Sequence, residues 1–324
     1  MDIKILTNDF CLVHVLDSVI RLEYTECFRE AGRLYLEVSE GEKELSVLCV
    51  GNRIIVDRLV YTVVATNVKN GVISVTGVGF FEELDHLFMT QPRISYAIPS
   101  AYALELASSL SVDGVVYSAY GISQNGPIIE VYDYGKSYAS ILKRLFSEYD
   151  LGYRIFCSEK KNEIEFHVLA LVDKAYDADN RVILSDERED YELVGYEDDI
   201  ERYKNRIELV IWYPVTQTLQ RRTFDRSGNE PERELCVPVD DVIATTEAEL
   251  NLALSERAQE IFAERKRKHF YTVRPTRELG INLGDSCMIE SVTLGRADGA
   301  TFCERKVQIS DTGRDELYVF EVLR

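Results

Sequence analysis

The sequence predicts a mainly β protein of the α+β class, in which two β-rich regions flank an α+β middle segment. Three patterns support this prediction. Apolar and polar residues alternate along residues 21–41, Asn70-Gly71 separates two strand-like runs, and apolar residues follow helical spacing between residues 138 and 146. At 324 residues the chain is too long for one typical core, so we expect two to four domains.

The best-specified element is a hairpin at residues 21–41. Its arms alternate apolar and polar residues, which is the period-two pattern of a half-buried antiparallel pair. Ala31-Gly32 supplies the bend, because glycine adopts positive φ without steric cost. The residues expected on the buried face are Leu22, Tyr24 and Phe28 in the first arm and Leu34, Leu36 and Val38 in the second.

Residues 1–80 contain further short strands joined by tight turns. Thr7-Asn8-Asp9 joins the first two, and Asn70-Gly71 is a strong hairpin signal because both residues tolerate positive φ. About six short strands with such turns indicate a small barrel or a sandwich. These strands are expected at residues 3–6, 10–15, 53–56, 60–66 and 72–78.

The pattern changes near residue 91, where helices are expected. Ser100 is the expected cap of a short helix that ends at Leu110. A clearer helix begins near Gly135, and Gly152 is its expected C-terminal cap. Strands follow at residues 153–157 and 164–169. The apolar face of the clearer helix consists of Tyr138, Ile141, Leu142, Leu145 and Phe146.

From residue 186 the chain is strongly acidic and again rich in strand-like runs. Thr246 and Glu249 form the pattern of a capping box, in which a hydroxyl and a carboxylate satisfy free helix amides. The helix that follows is expected to end in the basic run at residues 265–268. Its apolar side consists of Leu250, Leu254, Ala258 and Ile261. Strands are expected at residues 205–212, 216–222, 271–273, 286–290, 305–309 and 316–322.

The composition excludes several classes of protein. The net charge of −19 repels nucleic acid, whose non-specific binding depends on Lys and Arg. No apolar run approaches the roughly 18 residues of a membrane-spanning helix, and the first residues lack a secretory signal, so we expect folding in a cytoplasm. Seven scattered cysteines without a Cys-x-x-Cys favour free thiols over a disulfide framework or a zinc site.

The sequence predicts no catalytic, metal-binding or cofactor-binding residues, and it leaves ligand-binding residues unassigned. His14, His86, His167 and His269 lie far apart in the sequence, and His14 and His167 are expected to be structural. The segment Glu82, Glu83, Asp85 and His86 favours a solvated helical turn over an acid–base cluster. Gly77-Val78-Gly79 before it lacks the third glycine of a dinucleotide site. We therefore expect a protein that is not an enzyme.

Two charged runs leave alternatives open. Asp198 and Asp199, with Glu197 and Glu201 beside them, form either an exposed acidic entrance to a strand or a divalent-cation site, since hard cations prefer clustered carboxylates. The same two alternatives apply to the whole acidic stretch at residues 186–201. The basic run at residues 265–268 either complements the negative end of its helix dipole or contacts phosphate.

Several segments, in a shared order along the chain, resemble the tail hub proteins of siphophages. "DDIERYKN" at residues 198–205 resembles the signature that begins one strand of that family, with Glu201 or Arg202 where a small residue is usual. "YTECFREAGRLYLEVS" is similar to its amino-terminal hairpin, and "GKSYASILKRLFSEYDLGYRI" to its helix-to-strand step. "GNRIIV", "GVISVTGVGFFEELDHLF" and "LGDSCMIESVTLG" resemble its other strands. The chain thus resembles the baseplate hub family, which includes the amino-terminal structural part of tail-associated lysins and is similar to the hub of contractile-tail phages.

The resemblance implies a homotrimer with two small tube-type β-barrel domains in each subunit, so that six barrels form a pseudo-sixfold ring. Such a ring joins the sixfold tail tube to the threefold tip and passes DNA. On this basis we expect a first β-barrel hub domain at residues 1–90 and an α+β domain at 91–185. A second β-barrel hub domain follows at 186–324, with a helix near 246–268. Strands near 191–222 are an alternative completion of the first barrel.

The resemblance also implies partners and a location. The expected partners are further copies of the chain, a distal tail protein, a tail tube or tape-measure protein, and tip or fibre proteins. DNA is expected only in transit, without stable nucleic-acid or membrane binding. The expected location is the tail tip or baseplate of a virion, assembled in the cytoplasm of a bacterial host, with phage, prophage remnant and tail-like bacteriocin all open.

We expect a purely structural hub, because the chain stops near the end of the hub-like region, where lysins continue into peptidase or glycosidase domains. The alternative is a receptor- or carbohydrate-binding tail module, which the 19 tyrosines motivate. A hydrolase that works through the acidic run is the least favoured hypothesis.

Overall fold

Strands dominate the computed structural model, with 54% of the described residues in strands and 18% in helices, which confirms the predicted mainly β, α+β class. The structure describes residues 3–90, 93–110, 116–121, 128–133, 135–158, 163–176, 181–199, 203–213, 215–226, 232–239, 246–265 and 267–323. Within these ranges, no helix has the length and apolar character needed to cross a membrane.

The strands follow the chain in a long series of short elements. They are Ile3–Leu6 (β1), Leu12–Leu16 (β2), Arg21–Cys27 (β3), Arg33–Ser39 (β4), Arg53–Val56 (β5), Leu59–Lys69 (β6), Val72–Gly79 (β7), Arg93–Ala97 (β8), Val116–Gly121 (β9), Ile129–Asp133 (β10), Leu151–Cys157 (β11), Glu163–Ala170 (β12), Val172–Asp173 (β13), Ile183–Ser185 (β14), Tyr191–Asp199 (β15), Arg206–Tyr213 (β16), Thr218–Asp225 (β17), Glu234–Val239 (β18), Lys268–Pro275 (β19), Asp285–Ser291 (β20), Arg296–Ser310 (β21) and Gly313–Val322 (β22). The α-helices are Glu42–Val47 (α1), Pro99–Ser108 (α2), Tyr138–Glu148 (α3) and Glu247–Glu264 (α4), and Phe80–His86 is a 3₁₀ helix.

The first β-rich region is an antiparallel sheet with the strand order β2-β1-β5-β6-β7-β4-β3-β21. Its core contains the alternate residues of the predicted hairpin, together with Ile5, Ile54, Val63 and Val75. Val307 of β21 packs in the same core, so a strand from the end of the chain completes it. Closure of this sheet into a barrel stays a prediction.

The hairpin at residues 21–41 has the predicted buried face, with Leu22 opposite Leu36 and Tyr24 opposite Leu34. The explanation for its glycine was wrong, because Gly32 is not among the residues with positive φ. A Cβ at Gly32 would overlap the carbonyl oxygen of Thr25. Glycine is therefore required by the close approach of the two arms. The Asn70-Gly71 turn is as predicted, with φ of 55° and 77°.

The middle segment packs α2 and α3 against β11 and β12 around a separate core. Strand β9 lies parallel to β12. Two capping predictions were wrong. Ile98 is the cap of α2, with Pro99 in its first turn, and Ser100 is buried inside that turn. Helix α3 begins after Ser137, whose hydroxyl accepts from Ser140 N, and its C-terminal cap is Tyr149 rather than Gly152.

The end of the chain contains a long strand, β21, that pairs with three neighbours. It pairs with β20 and β22, and its later part pairs with β3, from Glu304 opposite Cys27 to Ser310 opposite Arg21. Strand β20 in turn lies parallel to β13 and β14. The sequence predicted the last strands individually and did not predict this return to the first hairpin.

Contacts between residues divide the chain into two compact units, residues 1–195 with 271–324 and residues 196–270. The second unit is a three-stranded sheet, β17-β16-β18, with α4 on one face. The capping box is as predicted, with Glu249 N donating to Thr246 Oγ1 at 3.2 Å. Helix α4 ends at Glu264, before the basic run, and has no basic residue in its last turn. The predicted domain boundaries stay a prediction.

Candidate functional site

The acidic segment after β7 forms an ion pair with a buried arginine. The carboxylate of Glu83 pairs with the guanidinium of Arg53 and accepts from the hydroxyl of Thr62. Arg53 is only 6% exposed and lies against the rings of Phe10 and Phe80. Burial raises the pKa of Glu83 above its ordinary value, against the opposing effect of Arg53. The segment is a structural 3₁₀ helix that anchors one strand of the first sheet.

The histidines lie apart and contact different partners. His14 lies 3.5 Å from Glu44, and His167 lies 3.3 Å from Glu165. Buried His269 is 2.7 Å from the hydroxyl of Tyr196. Over the described ranges, no group of three or more His, Cys, Asp or Glu side chains has the arrangement of a metal site.

The two charged runs meet in the second unit. Asp198 accepts two hydrogen bonds from the guanidinium of Arg267, with Nε 2.7 Å from Oδ1. One acid of the acidic run and one base of the basic run, whose roles the sequence had left open, therefore neutralise each other. Glu201, Lys266 and the side chain of Asp199 lie outside the described residues.

The seven cysteines are free thiols in the structure. Burial raises the pKa of Cys27 to about 12 and that of Cys287 to about 12. Thiolate is the reactive form of cysteine, so we expect both thiols to react slowly.

The residue that brings the most distant parts of the first unit together is Phe28, at the end of the first hairpin arm. Its backbone N–H donates to the carbonyl of Cys303 at 2.9 Å, and its carbonyl accepts from Tyr153 N at 2.9 Å. A neighbouring backbone hydrogen bond runs from Gly284 N to the carbonyl of Phe302, also at 2.9 Å. Segments near residues 28, 153, 284 and 303 thus meet at one point.

The ring of Phe28 packs against two glycines at this point. A Cβ on Gly152 would overlap ring atoms Cε2 and Cδ2 and would lie 2.5 Å from the carbonyl oxygen of Phe28. A Cβ on Gly284 would lie 2.8 Å from Cδ2, and its φ of +93° already disfavours other residues. Phe28 itself is only 2% exposed. We call Phe28, Gly152 and Gly284 the Phe28 junction.

Ion pairs and hydrogen bonds around the junction join the same two parts of the chain, the first hairpin and β11. The buried carboxylate of Glu26 on β3 accepts from Arg154 on β11. Arg29 donates to the carbonyl of Leu151 at 2.9 Å, and the hydroxyl of Tyr153 donates to the carbonyl of Glu30 at 2.7 Å. These contacts join the first hairpin to the middle segment.

A second network joins the first hairpin to the final strands. Asp57 accepts from the hydroxyl of Tyr24 and lies 3.4 Å from the guanidinium of Arg314. Glu316 accepts from both Arg314 and Arg305, the latter at 2.8 Å. Burial, followed by the bond to Asp57, raises the pKa of Tyr24 well above its ordinary value. Tyr24 therefore stays protonated, and its hydroxyl donates a hydrogen bond to Asp57.

Chemically, these groups are suited to holding strands in a fixed relation, since each is paired with a neighbour and the junction itself is packed. The alternation along residues 21–41 predicted Phe28 on a buried face, but no pattern in the sequence indicated its glycine partners. The available signal was the glycine at residue 152, directly before a predicted strand, which we interpreted as a helix cap.

No protein-family model and no curated protein sequence matches the chain. Among solved structures, the tail protein from Neisseria meningitidis MC58 superposes with a TM-score of 0.57 at 12% identity, covering 99% of this chain and 96% of that one. The 43 kDa tail protein of prophage MuSo2 from Shewanella oneidensis gives 0.56 at 13% identity, covering 100% and 98%. The chain has a tail-protein fold.

A third tail-protein structure extends this likeness. The prophage tail protein gp18 from Listeria monocytogenes EGD-e has a TM-score of 0.55 at 9% identity, with 99% of this chain and 94% of that one covered. The resemblance predicted from short segments is therefore confirmed for the fold. The tail-protein fold extends over nearly the whole chain and over both compact units.

Proposed function

We propose that the chain is a structural hub protein of a phage tail. Three copies form a ring at the tail tip or baseplate that joins the sixfold tail tube to the threefold tip and passes DNA. The ring has no catalytic turnover, and it contacts a distal tail protein, a tube or tape-measure protein, and tip or fibre proteins. It is located in the virion after assembly in the cytoplasm of the bacterial host.

The observation that carries the proposal is the tail-protein fold over almost the full length of the chain. The Phe28 junction supports it, because a ring subunit acts through a fixed shape. Among the described residues whose chemical role the sequence had left open, Glu83 pairs with Arg53 and Asp198 pairs with Arg267.

Light scattering on purified protein tests the trimer, and imaging of assembled tails tests the position. We expect three times the monomer mass of 37.1 kDa, and three copies around the tube end. If the chain were absent from the tail, or present at the tip in other than threefold arrangement, the hub proposal would be wrong. Glycan binding by the isolated protein without ring formation would instead favour the receptor-binding alternative.

The acidic composition has a role in this proposal. Three copies at −19 each carry −57 in all, and DNA passing an acidic lining finds few of the Lys and Arg contacts that produce non-specific affinity. We expect the bore to be acidic. An assembled ring with a neutral or basic bore, or faster DNA ejection after lining acids are replaced by Lys, would contradict this part.

A further inference from the structure

The turn between β6 and β7 contains an Asn-Gly pair in an open position. Asn70 and Gly71 connect two strands whose last pair before the turn is Lys69 opposite Val72, so the loop has two residues. Both residues are exposed, and a Cβ built on Gly71 would meet nothing within 4 Å. The pair is therefore accessible to water.

The groups of this pair that could react with each other are not held by hydrogen bonds. Within the described ranges, neither the side-chain amide of Asn70 nor the backbone N–H of Gly71 has a hydrogen-bond partner. The carbonyl of Gly71 does accept a hydrogen bond, from Glu40 N at 2.9 Å. A hydrogen bond would hold either reacting group in place, so both remain available.

The side-chain amide of an asparagine and the next backbone nitrogen are the groups that react in deamidation. The nitrogen of Gly71 attacks Cγ of Asn70, the new N–Cγ bond closes a cyclic imide, and the Cγ–Nδ2 bond breaks. Ammonia leaves with the proton that the Gly71 nitrogen gives up. Water then opens the imide at either of its C–N bonds, which leaves aspartate or isoaspartate at position 70. Nothing is oxidised or reduced, and glycine favours the attack because no Cβ stands beside the nitrogen.

Two other asparagines of the described part lack this combination. The side chain of Asn52 donates to the carbonyl of Val47 at 2.8 Å, so its amide is held. Asn67 is exposed and lies on the same strand as the turn, but it is paired opposite Ser74 and is followed by the β-branched Val68. Asn67 is therefore an internal control for exposure alone.

We propose that Asn70 is a site of spontaneous deamidation, at which the protein converts with time to a mixture of aspartate and isoaspartate. Aspartate keeps the turn, because Asp-Gly suits the same positive φ values as Asn-Gly. Isoaspartate places an extra methylene group in the backbone, so the loop no longer has the length that sets Lys69 opposite Val72. This inference goes beyond the hub role and does not depend on it.

The contacts that the isoaspartate form would weaken lie at one end of the first sheet. The hydrogen bond from Glu40 N to Gly71 joins the turn to the residue directly after β4. Strand β4 pairs with β7 from Ser39 opposite Val72 inward, and Ile73 is fully buried in the first core. We therefore expect the change to loosen the bond to Glu40 first, because that bond is made by the turn itself.

Peptide mass spectrometry on the folded full chain, kept for increasing times at mildly alkaline pH, tests the proposal. We expect Asn70 to gain the mass of deamidation at least about tenfold faster than Asn67, which corresponds to a barrier lower by about 1.4 kcal/mol. Enzymatic methylation of isoaspartate should label the same position. In the variant Asn70→Gln both signals should disappear there, because the longer side chain would have to close a larger ring. The other Asn-Gly pair of the chain, at residues 125–126, lies in a different tryptic peptide and is counted separately.

Hydrogen exchange separates the effect of the backbone from that of the charge. The N–H of Glu40 should exchange faster in the isoaspartate form than in the variant Asn70→Asp, which carries the same charge on an unaltered backbone. Equal rates of deamidation at Asn67 and Asn70, or aspartate without isoaspartate, would overturn the proposal. An Asn70 that stays intact after a synthetic peptide of residues 64–76 has been converted would overturn it too. Unchanged exchange at Glu40 in the isoaspartate form would refute the predicted effect on the turn.

Discussion

The Phe28 junction predicts that Gly152→Ala destabilises the protein although alanine is the smallest possible addition. The new methyl group would overlap two ring carbons of Phe28, whereas carbon atoms in contact normally lie about 3.5–4.0 Å apart, so the ring would have to retreat by more than about 1 Å. Phe28 is 2% exposed and its ring also lies against Gly284, so it has little room to retreat.

The expected magnitude follows from three contributions. Overpacking a core costs about 1–3 kcal/mol, and loosening the bond from Tyr153 N to the carbonyl of Phe28 costs about 1 kcal/mol more. Replacing glycine in a strand returns about 0.5–1 kcal/mol. We therefore expect a net loss of about 1–3.5 kcal/mol, which for a unit of this size lowers Tm by about 2–14 °C.

Calorimetry or thermal unfolding followed by circular dichroism measures this loss. Gly195→Ala is the matched control, since Gly195 also lies in a strand and a Cβ there meets nothing within 4 Å. In a Phe28→Leu background, Gly152→Ala should cost about 1 kcal/mol less than in the natural protein, because the two residues are in contact. Equal Tm values for Gly152→Ala and Gly195→Ala would refute the steric reasoning.

Two further predictions concern titrating groups. With burial of its thiol raising its pKa to about 12, half-buried Cys27 should resist iodoacetamide in the folded protein at mildly alkaline pH while exposed Cys49 is modified, as peptide mass spectrometry would show. Equal rates of modification would contradict the raised pKa. The hydrogen bond from Arg274 holds the pKa of Asp315 below its ordinary value. The stability that this hydrogen bond contributes is therefore complete above about pH 4 and is lost as the pH falls through the pKa of Asp315 in the folded protein. The difference in unfolding free energy between the natural protein and Arg274→Gln should therefore shrink on acidification, and a difference that stays constant with pH would show that this pair does not contribute.

Local patterns made much of the fold predictable. Alternation along residues 21–41 identified the hairpin, Asn70-Gly71 identified a turn, and Thr246 with Glu249 identified the start of α4. Each of these signals lies within a few residues of the structure it determines. The errors at Ser100 and Gly152 are of the same local kind, since serine and glycine suit several positions near helix ends.

The contacts of the Phe28 junction could not be predicted from the sequence, and the reason is physical. Nothing in β3 indicates that its second neighbour is β21, and nothing beside Gly284 indicates contact with Phe28. Gly152 and Gly284 accept no side chain because Phe28, which is distant in sequence, occupies that space, and this requirement leaves no periodic pattern in the sequence. Similarly, Trp212 reads as an ordinary strand residue until the position of α4 shows which face of the sheet is covered.

The pairing of β3 with β21 also sets the order of events during synthesis. Residues 21–27 leave the ribosome early, but their partners at 304–310 are about 280 residues away, which at about 5–20 residues per second means a delay of about 15–55 s. Throughout that time one edge of β3 has no partner, and the first core lacks Val307. A prematurely terminated chain would keep this open edge, so the protein completes its first sheet only once translation has passed residue 310.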